Sequence, residues 1–487
     1  MNFTVIIVTV IYFVLMIAIG LFFSKRIKNT GDYYVGGRNL PAIVAGFSFA
    51  ATQMSGSTYM GAIGTAAQIG YNFMPGAIGS VMATYWAFPL LGAKMRRVAA
   101  KLKSLTLPDL FAARFGESAK VIKPLIAVIY IVGFIPMMVG QLKAAGNALQ
   151  ILAGIPYVLA VAIAMAGVFL YVYWGGMFAV AWTDLIQGLI MIVGMAIVIP
   201  TILSHVGGLV AMNAKFAAIN PNLTTLKGMM PTVWVAGLCI MWGFFQIGGA
   251  PASVVRFMTV KNAKSVKSAM MWSLIFTAFI FFSYSIVGPA CRVMFPNPDA
   301  FDLVFPMAVK ELLPTVVSGI ILAAILAAIM STVDSDLLVV GSAAAKDLYT
   351  SLFNPKATEK QQLVVGRIVL FLVAVITGLI ALHPPTAILW LVTMTFSLFA
   401  SAFTAVIIAM FWWPGATGKG AVWSIIAGTV TCVVWYIIGF NLYHSLNMWP
   451  GGFFPPFVGV PVATLVLFVV SKLTPKPSEK SLKIFFN

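Results

Sequence analysis

Thirteen long apolar segments follow one another along this chain of 487 residues, and they constrain its fold more than any other feature. A helix needs about 20 predominantly apolar residues to cross the hydrocarbon core of a bilayer. Most of the segments reach that length: 3–23, 40–67, 73–93, 122–150, 156–174, 177–203, 231–253, 269–293, 314–342, 363–382, 385–413, 420–440 and 453–472. Only 9% of the residues are charged, against about 25% in soluble proteins. The sequence therefore predicts an all-α polytopic membrane protein with about 13 transmembrane helices.

Lysine and arginine are distributed unevenly among the polar segments between the apolar ones. With the N-terminus outside and the C-terminus inside, 25 of the 30 basic residues fall on the cytoplasmic side. Cytoplasmic loops carry such an excess, so the net charge of +18 indicates membrane orientation and not nucleic-acid binding. The cluster Lys25, Arg26 and Lys28 follows the first segment, which predicts a retained membrane helix rather than a cleaved signal peptide. We expect a multi-pass protein of the plasma (inner) membrane.

Two of the apolar segments are interrupted. The second contains "AATQMSGSTYMG" (51–62), and the seventh contains "MWGFFQIGGAPASVV" (241–255). Glycine and proline weaken a helix, and unwound backbone at membrane depth is tolerated only where it is buried in protein or lines a cavity. The interruptions are five segments apart, so a second repeat would cross the membrane in the opposite sense. Paired broken helices of this kind indicate a secondary transporter with inverted repeats.

The stretch "AAIMSTVDSDLL" (327–338) places hydroxyls and carboxylates inside the ninth apolar segment. Four of its residues share one face of a helix: Ala328, Ser331, Thr332 and Ser335. An ionisable residue such as Asp334 costs at least about 2.5–3.5 kcal/mol at the bilayer centre, so its presence needs a reason. Hydroxyl and carbonyl oxygens suit an alkali cation better than a transition metal. The unwound stretch near Ala51 and Met54 can supply further carbonyls. The role of Asp336 stays open.

A third carboxylate within apolar sequence is Asp184, in "AWTDLIQG" (181–188). If Asp184 faces Asp334, two like charges in a dry site cannot both stay ionised unless a cation neutralises them. The pair therefore predicts either a bound sodium ion or a shared proton. A structural carboxylate capped by neighbouring donors is the alternative.

Two further predictions concern the membrane surfaces. "LTLPDLFAARFG" (105–116) predicts a short amphipathic helix at the inner surface, with Leu110 and Phe111 facing lipid. Lys143 lies near the outer end of the fourth segment, and we expect it to extend its ammonium group to the outer surface.

Seven motifs occur in the same order as in a known family. They are "DYYVGGRNLP" (32–41), "AATQMSGSTYMG", "LTLPDLFAARFG", "WGGMFAVAWTDLIQG" (174–188), "RFMTVKNAKS" (256–265), "AAILAAIMSTVDSDLL" (323–338) and "KDLY" (346–349). Through them the chain resembles the sodium:solute symporter family over residues 5–470. It looks most like the pantothenate/small-carboxylate permease and proline symporter branches.

The resemblance implies a leucine-transporter-type core of two inverted five-helix repeats, in which the first and sixth core helices are broken. It predicts a leading transmembrane helix at 1–30, a first repeat at 31–210 and a second repeat at 211–414. Two additional helices at 415–475 and a cytoplasmic tail at 476–487 follow.

The resemblance also implies the residues of three sites. The sodium site carried over from the family consists of Ala51, Met54, Ala328, Ser331 and Thr332. A possible second cation or proton site consists of Asp184, Ser331, Asp334 and Ser335. The solute site consists of Gln53, Ser55, Thr58, Gln141, Trp242, Phe245 and Gln246.

We predict sodium-coupled symport of a small organic solute by alternating access in a monomer, with pantothenate or another small carboxylate as the first choice. A sodium- or proton-coupled symporter of a proline-like amino acid is the alternative. The proline transporters of the family have aspartate at the position of Gln53, and many relatives have a small polar residue at that of Asp334. The first departure argues against a close copy of proline recognition, and the second leaves proton coupling open.

Three other classes of protein fit the sequence less well. A channel needs a continuous polar pore, whereas the polar residues here form one cluster at mid-membrane. A sensor built on this fold carries appended soluble domains, and few residues follow the last apolar segment. The motifs H-E-x-x-H and G-x-S-x-G of membrane-embedded enzymes are absent from the sequence, so we expect no enzyme activity.

Overall fold

The computed structural model describes residues 2–24, 35–174 and 177–486. Within these ranges the structure describes only the backbone of residues 24, 117 and 168–174. The basic cluster at 25–28 and the predicted boundary at residues 30–31 lie outside the described residues.

The described residues form helices joined by short turns, and they contain no β-strand. The α-helices are α1 (Phe3–Ser24), α2 (Ala42–Ala51), α3 (Ile63–Ile69), α4 (Met74–Ala87), α5 (Ala93–Leu102), α6 (Leu107–Arg114), α7 (Ala119–Ala148), α8 (Tyr157–Trp174), α9 (Met177–Val206), α10 (Gly208–Ile219), α11 (Thr232–Ile240), α12 (Gln246–Gly249), α13 (Pro251–Val255), α14 (Ser265–Met294), α15 (Val304–Leu312), α16 (Thr315–Ser342), α17 (Thr350–Leu352), α18 (Glu359–Leu382), α19 (Ile388–Trp412), α20 (Gly418–Tyr443), α21 (Pro455–Leu473) and α22 (Glu479–Phe486).

Wider and tighter helical turns connect or extend several of these helices. The π-helical turns are Ser57–Ala62, Phe88–Gly92, Leu149–Ala153, Met241–Phe245 and Ala343–Tyr349. The 3₁₀ turns are Gly36–Arg38, Gly70–Phe73, Gly116–Ser118, Pro221–Thr224, Arg256–Met258, Phe301–Leu303 and Pro450–Gly452.

Eleven helical stretches of the described chain are long and apolar enough to cross a membrane. One of them, Ser57–Leu102, passes through Gly70, whose φ of +67° interrupts the helical path and suits glycine. The predicted segments 40–67 and 156–174 also contain the shorter apolar helices Ala42–Ala51 and Tyr157–Gly167. The prediction of an all-helical membrane fold is confirmed, whereas the count of thirteen and the orientation stay predictions.

Both predicted interruptions are present. α2 ends at Ala51, and the next helical turn begins only at Gly56 and continues into Ser57–Ala62. α12 ends at Gly249, Ala250 has the non-helical angles φ −122° and ψ 66°, and α13 begins at Pro251. Proline lacks the amide hydrogen that would continue the helical ladder, so α12 and α13 form two halves of a broken helix.

α16 lies at the centre of the fold, where it packs against α1, α7 and α9. Its side chains are buried along nearly the whole length of the helix. Peripheral helices differ, because α18 and α21 expose large apolar residues such as Leu379 and Leu465, as a lipid-facing surface requires. The "MSTVDS" part of α16 is therefore enclosed by protein on all sides.

The expectation that Leu110 and Phe111 face lipid is wrong, because both side chains are fully buried. Thr106 and Asp109 form a reciprocal cap at the start of α6. Asp109 also contacts the ammonium groups of Lys123 and Lys346, at 2.7 Å each. Burial raises the pKa of Asp109, but the two ammonium groups outweigh burial and hold that pKa below its usual range. These contacts turn the apolar face of α6 inward.

Candidate ion and solute site

The structure brings together all five residues of the predicted sodium site, which we call the hydroxyl cluster: Ala51, Met54, Ala328, Ser331 and Thr332. Ser331 Oγ donates to the Ala51 carbonyl at 3.1 Å, and Thr332 Oγ1 donates to the Met54 carbonyl at 2.8 Å. Both hydroxyls also lie 3.1 Å from the Ala328 carbonyl of their own helix. Ala51 ends α2 and Met54 lies in the break, so the freed carbonyls of the broken helix meet α16 here.

The hydroxyl cluster offers five neutral oxygen atoms in a fully buried place. A cation bound between them would take the oxygen lone pairs that these hydrogen bonds use. Oxygen ligands of this kind suit a hard alkali cation. The cluster therefore has the chemistry that the sequence predicted for a sodium ion.

The predicted second site contains a residue that the sequence analysis did not assign to it. The Arg256 guanidinium is 1% exposed. Its Nη2 lies 3.4 Å from Asp184 Oδ2 and also donates to Ser335 Oγ. Its Nε donates to Ser48 Oγ at 3.2 Å, and Ser48 Oγ donates to Asp184 Oδ2 at 2.5 Å. Ser335 Oγ also contacts Asp334 Oδ1 at 3.1 Å. We call these residues, together with the adjacent Asp336, the carboxylate cluster: Ser48, Asp184, Arg256, Asp334, Ser335 and Asp336.

Three buried carboxylate oxygens of the carboxylate cluster have no hydrogen-bond partner among the described atoms: Asp184 Oδ1, Asp334 Oδ2 and Asp336 Oδ2. Arg256 contacts Asp184 directly and is linked to Asp334 through Ser335. The role of Asp336 stays open. A sequence signal for Arg256 exists, because it follows the apolar run "APASVV" (250–255) and is five residues away from the nearest lysine. Arg256 was one of the 25 basic residues assigned to the cytoplasmic side, and its burial corrects that assignment.

A cavity lies beside the first break and encloses about 400 Å³ of space not filled by protein, open solvent included. Its lining consists of Gln53, Ser55, Ser57, Thr58, Ala62, Phe73, Gly76, Ser80, Trp242, Gln246, Phe281, Tyr284, Leu389, Val392 and Phe396. All of these residues are uncharged. Gln53 Oε1 and Gln246 Oε1 are buried without a hydrogen-bond partner among the described atoms, so both oxygens can accept a hydrogen bond from a ligand. The mixture of polar groups and aromatic rings in this lining is typical of a small-molecule site.

Five of the seven predicted solute residues line this cavity, and the structure puts the other two elsewhere. Gln141 Oε1 accepts a hydrogen bond of 2.8 Å from the Gly56 amide, so this side chain supports the break from behind. Phe245 belongs to a π-helical turn and packs edge-on against Phe457, with ring centroids 5.3 Å apart. The sequence analysis missed the lining residues Ser80 and Tyr284, whose signal is a polar group within an apolar segment.

Lys143 does not extend to the outer surface as expected. Its Nζ lies 2.8 Å from Asp302 Oδ2 and 3.2 Å from the Thr386 carbonyl. Asp302 Oδ2 also accepts a hydrogen bond of 3.1 Å from the Ile388 amide at the start of α19, where a negative charge is favourable. Lys143 therefore forms an ion pair that joins α7 to the Phe301–Leu303 turn, and Asp302 joins this turn to the start of α19.

Two solved structures share the fold. A Na⁺-coupled sialic acid symporter in a substrate-bound, outward-open state superposes with a TM-score of 0.79 at 22% sequence identity, covering 98% of this chain and 99% of that one. A nucleobase-cation-symport-1 family transporter in a closed conformation superposes with a TM-score of 0.53 at 13% identity, covering 94% and 99%. Both likenesses bear on the fold alone.

Sequence relatives match nearly the whole chain. The osmoregulated proline transporter OpuE of Bacillus subtilis is 32% identical, covering 100% of this chain and 98% of that protein. A sodium/pantothenate symporter of Haemophilus influenzae is 30% identical, covering 92% and 94%. A sodium/proline symporter of Staphylococcus aureus is 29% identical, covering 98% and 94%. The profile of the sodium:solute symporter family matches residues 33–428. The chain therefore belongs to the sodium:solute symporter family and is a sodium-coupled membrane symporter of a small solute.

Proposed function

We propose that this symporter carries pantothenate or another small carboxylate together with sodium across the plasma membrane by alternating access. One observation carries the proposal, which is that the first break serves both candidate sites. Its residues Ala51 and Met54 direct carbonyls to the hydroxyl cluster. Its residues Gln53, Ser55 and Thr58 line the cavity. An ion and a solute that bind to opposite sides of one short backbone segment have a direct means of affecting each other.

In this proposal the sodium ion binds at the hydroxyl cluster. The ion would join the broken helix to α16, which fixes the backbone that forms the cavity wall. Sodium and solute should then raise each other's affinity by the same factor, typically 5- to 150-fold. The solute's carboxylate would be held by hydroxyl and amide donors, because the cavity lining has no cation.

A proline-like amino acid is the second candidate solute. It is favoured by the likeness to the proline transporters of Bacillus subtilis and Staphylococcus aureus. Against it stands Gln53, which leaves the cavity wall without the aspartate of the proline branch. Proton coupling through the carboxylate cluster is the alternative to sodium at the second site.

We further propose that residues 31–210 and 211–414 are the two inverted repeats, after a leading helix at 1–30. Residues 415–475 would add two helices and 476–487 a tail. Each proposed repeat contains one of the two breaks, which supports this division. We also propose that the protein functions as a monomer.

The test is uptake of labelled pantothenate into proteoliposomes that contain the purified protein. An inward sodium gradient is compared with a matched potassium gradient and with an inward proton gradient, and proline and pyruvate serve as unlabelled competitors. We expect accumulation only with sodium, and its loss in the double variant Ser331→Ala, Thr332→Ala. Thr377→Ala is the matched control, because this buried hydroxyl donates to carbonyls of its own helix α18.

The possible results separate the alternatives. Uptake that is driven by protons and is indifferent to sodium would contradict the sodium site and point to the carboxylate cluster. Sodium-driven uptake of proline, without uptake of pantothenate, would replace the first solute by the second. Flux that neither saturates nor depends on a coupling ion would indicate a channel.

A further inference from the structure

The Arg256 guanidinium lies where a second alkali cation would have to bind. Its Nη2 contacts Asp184 Oδ2 and Ser335 Oγ, which are two of the oxygens predicted for that ion. Its Nε holds Ser48 Oγ at 3.2 Å, and its Nη1 donates to the Ala252 carbonyl at 2.7 Å. The guanidinium is therefore held by α2, α9, α13 and α16 at once.

This position brings the guanidinium group of an arginine, a positively charged planar donor of up to five hydrogen bonds, into the carboxylate cluster. The guanidinium contacts Asp184 directly and is linked to Asp334 through Ser335 Oγ, which lies 3.1 Å from Asp334 Oδ1. It thus supplies the neutralising cation that two close carboxylates require.

A sodium ion and the guanidinium compete for the same atoms. The ion needs the oxygen lone pairs of Asp184 and Ser335, and the guanidinium already uses them. Oxygen ligands for an ion would nevertheless remain without the guanidinium. Asp184 Oδ1 and Asp334 Oδ2 are buried and lack hydrogen-bond partners among the described atoms, and Ser335 Oγ lies 3.1 Å from Asp334 Oδ1.

We propose that Arg256 is a tethered cation that fills the second alkali-cation position, so that each chain binds one sodium ion. The proposal rests on the proposed function, because the single ion is the one at the hydroxyl cluster. It also predicts that a neutral side chain at position 256 opens a second sodium site between Asp184 and Asp334.

The test counts sodium ions bound at equilibrium to the purified full-length protein, by titration with radioactive sodium in detergent. We expect one ion per wild-type chain, one for Arg256→Lys and two for Arg256→Gln. The double variant Arg256→Gln, Asp184→Asn loses one charge of each sign and should bind one ion again. Size-exclusion profiles and circular dichroism establish that each variant is folded.

The outcomes separate this inference from the proposed function. Two ions bound to the wild-type chain would overturn the inference even if Arg256→Gln failed to fold, and would leave sodium coupling intact. One ion bound to a folded Arg256→Gln chain would overturn it as well. If no ion binds to the wild-type chain, the proposal that the hydroxyl cluster binds sodium is contradicted. In that case, binding of one ion to Arg256→Gln would still support the role of Arg256 as a tethered cation.

Discussion

Replacing Thr332 by valine removes one hydroxyl from the hydroxyl cluster and preserves the shape of the side chain. In the structure this hydroxyl donates to Met54 at 2.8 Å and lies 3.1 Å from the Ala328 carbonyl. A polar contact with a charged group contributes about 1.5–3 kcal/mol. Each 1.4 kcal/mol is about a tenfold change in affinity, so we expect the sodium dissociation constant of Thr332→Val to rise by roughly 10- to 150-fold.

Ion-linked stability measures this change without knowledge of the solute. At a sodium concentration of about 100 times the parent dissociation constant, bound sodium stabilises the folded protein by about 2.7 kcal/mol. If that constant rises about 100-fold in Thr332→Val, the same sodium concentration stabilises the variant by only about 0.4 kcal/mol. Unfolding of the purified protein is followed in sodium chloride and in choline chloride at equal ionic strength.

Thr377→Val is the matched control for this measurement. The Thr377 side chain is 1% exposed, and its hydroxyl donates to Val373 and Ala374 of the same helix, far along the chain from the cluster. This variant should lose some stability equally in both salts and keep the full sodium effect. A Thr332→Val protein that keeps the full sodium effect would refute the assignment of this hydroxyl to the ion.

Three other predictions concern stability. Lys143→Met should lower the free energy of unfolding, measured by chemical denaturation, by about 1–3 kcal/mol. This loss is smaller than for a fully buried ion pair because Lys143 is 17% exposed, and the additional substitution Asp302→Asn should restore part of the lost stability. The depressed pKa of Asp109 means that its carboxylate stabilises the fold fully above about pH 4 and less as the pH falls, so Asp109→Asn should flatten the acid side of a stability–pH curve. Gly248→Ala would bring a Cβ within 2.5 Å of α19 backbone and should cost about 1–3 kcal/mol in thermal unfolding, whereas Gly116→Ala, with open space around it, should cost little.

Each of these predictions has a result that contradicts it. A Lys143→Met protein as stable as its parent would mean that the ion pair contributes nothing to folding. An unchanged acid limb in Asp109→Asn would mean that another group causes the loss of stability in acid. Equal stability of the two glycine variants would mean that the close packing of the broken helix against α19 is unimportant.

The hydroxyl cluster could be predicted from the sequence because both of its parts are local patterns. Ser331 and Thr332 follow Ala328 at helical spacing, and the break near Ala51 and Met54 is marked by its glycine and polar residues. That these two parts contact each other could be predicted because unwound backbone at membrane depth has to be buried in protein.

Arg256 and Lys143 could not be assigned in this way, because their partners are distant along the chain. Lys143 is 159 residues from Asp302, and Arg256 is 72 residues from Asp184. The charge rule for membrane proteins places every basic residue beyond an apolar segment in a loop, and only tertiary packing shows that α13 carries Arg256 into the interior. The prediction that Gln141 binds the solute was wrong for a related reason. A polar side chain in an apolar helix can accept a hydrogen bond from a backbone amide as readily as it can bind a ligand.

The uncharged wall of the cavity has an electrical consequence. If the protein's own charges stay paired and one sodium ion is bound, as proposed above, the charge moved in each transport cycle is that of the sodium ion plus that of the solute. A zwitterionic amino acid then makes each cycle carry one positive charge, and a membrane potential of 100 mV contributes about 2.3 kcal/mol to accumulation. A monovalent carboxylate makes the cycle electroneutral, and the potential contributes nothing. Current recorded from proteoliposomes during uptake would therefore distinguish the two classes of solute.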